Sequence, residues 1–213
     1  MSSRLREGKR AGTAMTDQIQ SARTRGTLAL VVCAAVAGRT VQKLVVLAQA
    51  DGWDVWVIAT PNARSTFIDL PLLEVLTGHT VYSEGDALLP AFAVVLVIPA
   101  TFNTLRKWAQ GITDTLALRL LHSWMQTGVP MLAFPRASAE LAQEPDFQHS
   151  LARLRALGVT VVYDVERYPP NNDIPWPAVL DALTVLWCNR MDEAAEAAAP
   201  DAAFKPDSDA IHS

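Results

Sequence analysis

Two cysteines in 213 residues, Cys33 and Cys188, are too few for a disulfide framework and fit a reducing compartment. The four histidines, His79, His122, His149 and His212, are scattered, with no second His or Cys at metal-ligand spacing, so no metal site is expected. Long apolar runs are missing too. The longest near the start, Leu28 to Ala37, is too short to span a bilayer and meets Gly38-Arg39, so it reads as a buried strand and turn. The first 25 residues lack the apolar segment of a secretory signal. A net charge of −4, without a basic stripe or interleaved aromatic and basic residues, argues against nucleic acid as a partner. A soluble, cytoplasmic protein with no membrane contact is the expectation.

Half of the residues are apolar, enough for one substantial core in a chain of this length. The ends differ from the middle in composition. Residues 1–25 carry six Lys/Arg against Glu7 and Asp17, and 191–213 carry six Asp/Glu against Lys205. Both read as disordered tails, one basic and one acidic, around a single folded domain over 26–190, and Met15 offers a second start. Inside that domain short apolar runs alternate with amphipathic stretches. The runs are Leu28–Ala34, Val55–Thr60, Ala93–Pro99, Val129–Phe134 and Val159–Tyr163. Helical spacing marks Thr40–Ala50, Pro71–Leu76, Thr101–Gln110, Thr115–Gln126 and Pro145–Leu157, two of them stopped by glycine at Gly52 and Gly158. Such alternation predicts a doubly wound, Rossmann-like parallel sheet in a flavodoxin-like three-layer α/β domain.

Ligands of such folds sit beyond the C-terminal ends of the strands, which gathers four loops: Ala34–Gly38, Thr60–Phe67, Pro99–Thr104 and Pro135–Glu140. The third is the most informative. A buried strand there turns directly into a helix through Pro99-Ala100-Thr101-Phe102-Asn103-Thr104, placing hydroxyls, an amide and free backbone N–H groups at the positive end of a helix. Thr101, Asn103 and Thr104 are equally good helix caps, with or without a ligand.

This loop, continued by Lys107, Gly111, Asp114 and Leu116, resembles the flavin-binding loop of the homo-oligomeric flavin-containing Cys decarboxylases. That family includes phosphopantothenoylcysteine decarboxylases and enzymes that decarboxylate C-terminal cysteines of ribosomal peptides. The likeness extends through Thr60-Pro61-Asn62-Ala63, Phe67 and Pro71-Leu72 to the register of Val129-Pro130-Met131, Pro135 and Gly158. It implies FMN as cofactor, with contacts at Ala34, Ala35, Thr60, Asn62, Phe67, Pro99, Ala100, Thr101, Asn103 and Thr104. It also implies a homo-oligomer, a trimer or trimer-based dodecamer, with FMN at the subunit interface.

Three positions depart from the family pattern. Ala34-Ala35 replaces a glycine and a phosphate-binding serine, and Pro135-Arg136-Ala137-Ser138 replaces Pro-x-Met-Asn, leaving Arg136 and Ser138 as substrate-binding candidates. Fourteen residues before Pro99, where relatives place the catalytic histidine, stands Gly85, with Glu84 and Asp86 its only titratable neighbours. The catalytic residue is therefore left unassigned. Two functions follow from the resemblance. One is a divergent flavin-dependent enzyme acting on a cysteine-containing or modified peptide or a small thiol. The other is a non-catalytic FMN-binding subunit that associates with a catalytic protein partner.

Overall fold

A computed structural model describes residues 25–82, 89–164, 166–169 and 173–198. Five strands form one sheet: β1 (Gly26–Val32), β2 (Trp53–Ala59), β3 (Val94–Thr101), β4 (Met131–Arg136) and β5 (Thr160–Val161). They pair in the order β2-β1-β3-β4-β5, and every pairing is parallel. The helices are α1 (Val41–Ala50), α2 (Pro61–Thr66), α3 (Leu70–Thr77), α4 (Phe102–Ala109), α5 (Leu116–Gln126), α6 (Ala139–Gln143), α7 (Pro145–Ala156) and α8 (Trp176–Ala198). A 3-10 turn, Val36–Thr40, links β1 to α1.

The two-residue period of the strands divides the core into two layers. Leu28, Leu30 and Val32 of β1 join Val94, Leu96 and Ile98 of β3 on one face, packed against α1, α3 and α8. Ala29 and Val31 join Val95 and Val97 on the other, packed against α4, α5 and α7. Both faces are apolar because both are covered, which is why β1, β3 and β4 are near-continuous apolar runs, whereas β2 alternates buried and half-buried residues. The three-layer, doubly wound architecture anticipated from the sequence is the one observed.

Local chemistry sets the helix ends. Asp69 accepts a hydrogen bond from the Leu72 N–H at 3.1 Å and so starts α3, which Gly78 ends in the left-handed conformation at φ 73°. Thr115 accepts from the Leu118 N–H at 3.4 Å and starts α5. Two short helices, α2 and α6, form where loops were anticipated, and α8 runs past residue 190 to Ala198. Among the described residues no helix is long and apolar enough to cross a membrane.

The central strands carry the stability. Leu96 is fully buried between β1 and β4, so Leu96→Ala is expected to cost about 2–5 kcal/mol in urea unfolding. Val75→Ala, at a side chain 81% exposed on α3, is expected to stay within about 0.5 kcal/mol.

Candidate functional site

The strand order reverses between β1 and β3, and there the loops leaving the two strands part toward opposite faces of the sheet. A cleft of about 340 Å³ opens at that point, within the size range of small-molecule sites. Ala34 reaches it from the end of β1, Thr60, Pro61 and Asn62 from β2, and Thr101, Asn103 and Thr104 from β3. Lys107 of α4, with Thr115 and Leu118 at the start of α5, completes the wall.

The wall is organised by hydrogen bonds among its own polar groups. The Thr101 and Thr104 hydroxyls lie 3.1 Å apart, so Thr101 spends its side chain on Thr104 rather than on capping α4. The first-turn N–H groups of α4 therefore lack a side-chain cap and carry the positive end of the helix. Beneath them Cys33 is fully buried, in contact with the Thr104 hydroxyl and the Thr101 backbone. Burial pushes its thiol up from the ordinary value, and those two contacts offset only part of the rise. Lys107 pairs with Asp114 in a half-exposed ion pair.

Of the residues singled out from the sequence, Ala34, Thr60, Asn62, Thr101, Asn103 and Thr104 converge on this cleft. The others stand behind it. Pro99, joined to Ile98 by a cis peptide bond, and Ala100 are buried in β3. Ala35 flanks the 3-10 turn, its carbonyl accepting from the Gly38 N–H at 2.8 Å. Phe67 lies after α2 with the Arg39 guanidinium 5.8 Å above its ring.

Arg136 and Ser138 lie apart from the cleft wall. Arg136 lines a separate small cavity with Tyr163 and Tyr168, and donates to the Tyr168 carbonyl at 3.5 Å. Burial lowers the pKa of that guanidinium, and Asp173 works in the opposite direction. Ser138 caps α6 by accepting from the Leu141 N–H at 3.3 Å. The same hydroxyl, with the Glu140 backbone N–H, holds the exposed Glu140 carboxyl below its ordinary range.

His79 belongs to a different cluster: its Nε2 is 2.7 Å from Asp54, and its ring stacks on Trp56 at 3.9 Å. Asp54 is the second residue of β2, at the opposite end of that strand from the cleft. His122 bonds Gln126 on the outside of α5. Glu84, Gly85, Asp86 and His212 fall outside the described residues.

Lys107, Thr115 and Leu118 are cleft residues outside the four loops gathered from the sequence, and Pro61, inside the second loop, was not among the expected contacts. A signal existed for two of them. Lys107 follows Asn103 by one helical turn and shares its face, and Thr115 is a helix cap pointing back toward the same loop.

The burial of Cys33 has two measurable results. A thiol reagent should modify the exposed Cys188 in native protein and reach Cys33 only after denaturation. Because the native thiol holds its proton to higher pH than the unfolded one, stability should fall as pH rises above about 8.5, the ordinary thiol pKa. Cys33→Ser, without a titrating thiol, should lose that part of the decline in pH-dependent urea melts.

No curated protein matches the sequence. Among solved structures, the FMN-dependent cysteine decarboxylase TvaF from thioviridamide biosynthesis superposes with a TM-score of 0.64 at 20% identity, covering 76% of this chain and 98% of its own. The FMN-binding protein AtHal3 gives 0.64 at 18% identity, over 78% and 98%. The epidermin biosynthesis protein EpiD from Staphylococcus aureus gives 0.57 at 24% identity, over 64% and 81%. At these identities the likeness establishes a shared fold. The sequence itself matches the family model described as Flavoprotein over residues 18–179, from before β1 into α8 and across the whole cleft, and the chain belongs to that family.

Proposed function

We propose that this protein binds FMN in the cleft between β1 and β3 and uses it on a cysteine-containing peptide or a small thiol. The observation that carries this reading is the convergence of Thr60, Asn62, Thr101, Asn103 and Thr104 on one cleft at the reversal of strand order. The donor set fits the cofactor. Hydroxyls, an amide, the uncapped first turn of α4 and one ammonium suit a polar, phosphorylated ligand, and the small side chain of Ala34 lets the β1 loop approach it closely. TvaF and SpaF, both FMN-dependent cysteine decarboxylases, share the fold.

When bound, FMN supplies a two-electron acceptor. The chain's own contribution is placement. The Thr101–Thr104 pair, anchored on buried Cys33, fixes two hydroxyls at the cleft floor, and Thr60 and Asn62 face them across the opening. Ala35, Phe67, Pro99 and Ala100 act from behind by shaping the loops.

A second reading rests on Arg136 and Ser138. Both groups available to hold a substrate are engaged elsewhere, Arg136 with the Tyr168 carbonyl and Ser138 as a helix cap. A protein that holds FMN and serves a catalytic partner without turning over accords with that. We further infer a cytoplasmic homo-oligomer, a trimer or trimer-based dodecamer. Val36, 71% exposed in the same loop as Ala34, is an apolar rim residue suited to burial by a second copy.

Purified protein is expected to be yellow, or to turn yellow with added FMN. Its flavin band should bleach when a cysteine-ending peptide or phosphopantothenoylcysteine is added without oxygen. A yellow protein that never bleaches would favour the non-catalytic reading, and a colourless one that takes up no FMN would refute both. Light scattering after size exclusion should give a mass at least three times that of the chain, and a monomer would contradict the assembly.

A further inference from the structure

The cleft wall is rich in neutral polar groups and poor in charge. Among the described residues that line it, Lys107 is the one charged side chain. Nearby cations are engaged elsewhere: Arg64 donates to the Val81 carbonyl at 2.9 Å, and Arg39 sits over the Phe67 ring. The β1 loop presents Ala34, a methyl group and backbone with neither hydroxyl nor cation. A phosphate monoester carries close to two negative charges at neutral pH. Threonine and asparagine side chains alone would leave that charge without a counter-ion in a partly desolvated site.

Lys107 is placed to supply it. It follows Asn103 by one turn of α4, so the two share a face, and both line the cleft. Its ammonium is held by the Asp114 carboxylate, with side chains 40% and 46% exposed. Ion pairs this exposed contribute little to stability, so the ammonium can change partners at small cost. A doubly charged phosphate is a stronger acceptor than one carboxylate, and the uncapped first turn of α4 lies on the same wall.

The geometry points to Lys107 as the residue that selects a phosphorylated flavin. Its ammonium leaves Asp114 and pairs with the phosphate monoester, and the cleft thereby distinguishes FMN from riboflavin. Asp114 is the competing anion that Lys107 leaves when the phosphate arrives. This rests on the reading of the cleft as an FMN site and adds which atom decides between two ligands with the same ring system.

Titration of the full chain with FMN and with riboflavin, followed by quenching of flavin fluorescence, tests it. FMN is expected to bind about ten- to a hundredfold tighter than riboflavin, the range of one charge-assisted hydrogen bond. Lys107→Met and Lys107→Gln should bring FMN down to near the riboflavin level without changing riboflavin itself. Lys107→Arg should keep the preference, and Asp114→Asn, which removes the competing anion, should strengthen FMN alone. Equal weakening of both flavins in Lys107→Met, or an unchanged ratio between them, overturns the assignment. A wild-type protein that binds both flavins equally overturns it while leaving the flavin site standing. One that binds neither overturns the site and this inference together.

Discussion

Parallel pairing of β1 with β3 is the constraint from which the rest of the molecule follows. Leu28 to Val31 pair with Val94 to Val97, and the neighbours of these two strands lie on opposite sides, β2 beyond β1 and β4 beyond β3. Chain leaving β1 must therefore pass to the face that holds α1, and chain leaving β3 to the face that holds α4. The two loops diverge and leave a gap at the end of the sheet. Both strands are buried on both faces, so the gap has a rigid floor. Cys33, just past the end of β1, fills that floor and touches Thr101 and Thr104 across it.

Much of the fold was legible because buried parallel strands have a strong signature. The apolar runs at Leu28 and Ala93 form strands buried on both faces, and the run at Val55 forms the half-buried edge strand β2, each legible as a strand covered by helices. The short helices α2 and α6 were harder to see. Pro61–Thr66 and Ala139–Gln143 are too short for a helical period to emerge, and their starts, Thr60-Pro61 and Ser138, look the same as turn residues. At the other end, the acidic and alanine-rich composition after Met191 suggested disorder. Alanine and glutamate are also strong helix formers, and α8 continues through them to Ala198.

The site was legible where it depended on local sequence and obscure where it depended on packing. Thr101, Asn103 and Thr104 belong to one strand-to-helix junction, and the chain order alone places them together. Thr115 enters the cleft because α4 and α5 pack side by side, which no short motif states, whereas Lys107 shares the face of α4 that carries Asn103. Arg136 failed to join them for the same kind of reason. It is the last residue of β4, but its side chain is drawn toward Tyr168 and Asp173 in the segment before α8. The His79–Asp54–Trp56 cluster is equally tertiary, and it sits at the end of β2 remote from the cleft.

The chain belongs to the Flavoprotein family over residues 18–179, and within that span polar residues from the ends of β2 and β3 and the start of α5 converge on one cleft. Of the departures from the family pattern, Ala34 lines the cleft, whereas Arg136 lines a separate cavity and Ser138 caps α6. The most direct measurement is an FMN titration of the wild type beside Asn103→Trp, which fills the cleft from an exposed position without touching the core. Saturable binding of one FMN per chain in the wild type, lost in Asn103→Trp with the melting temperature unchanged, is the predicted result. Undiminished FMN binding by Asn103→Trp would place the cofactor elsewhere and contradict the central claim.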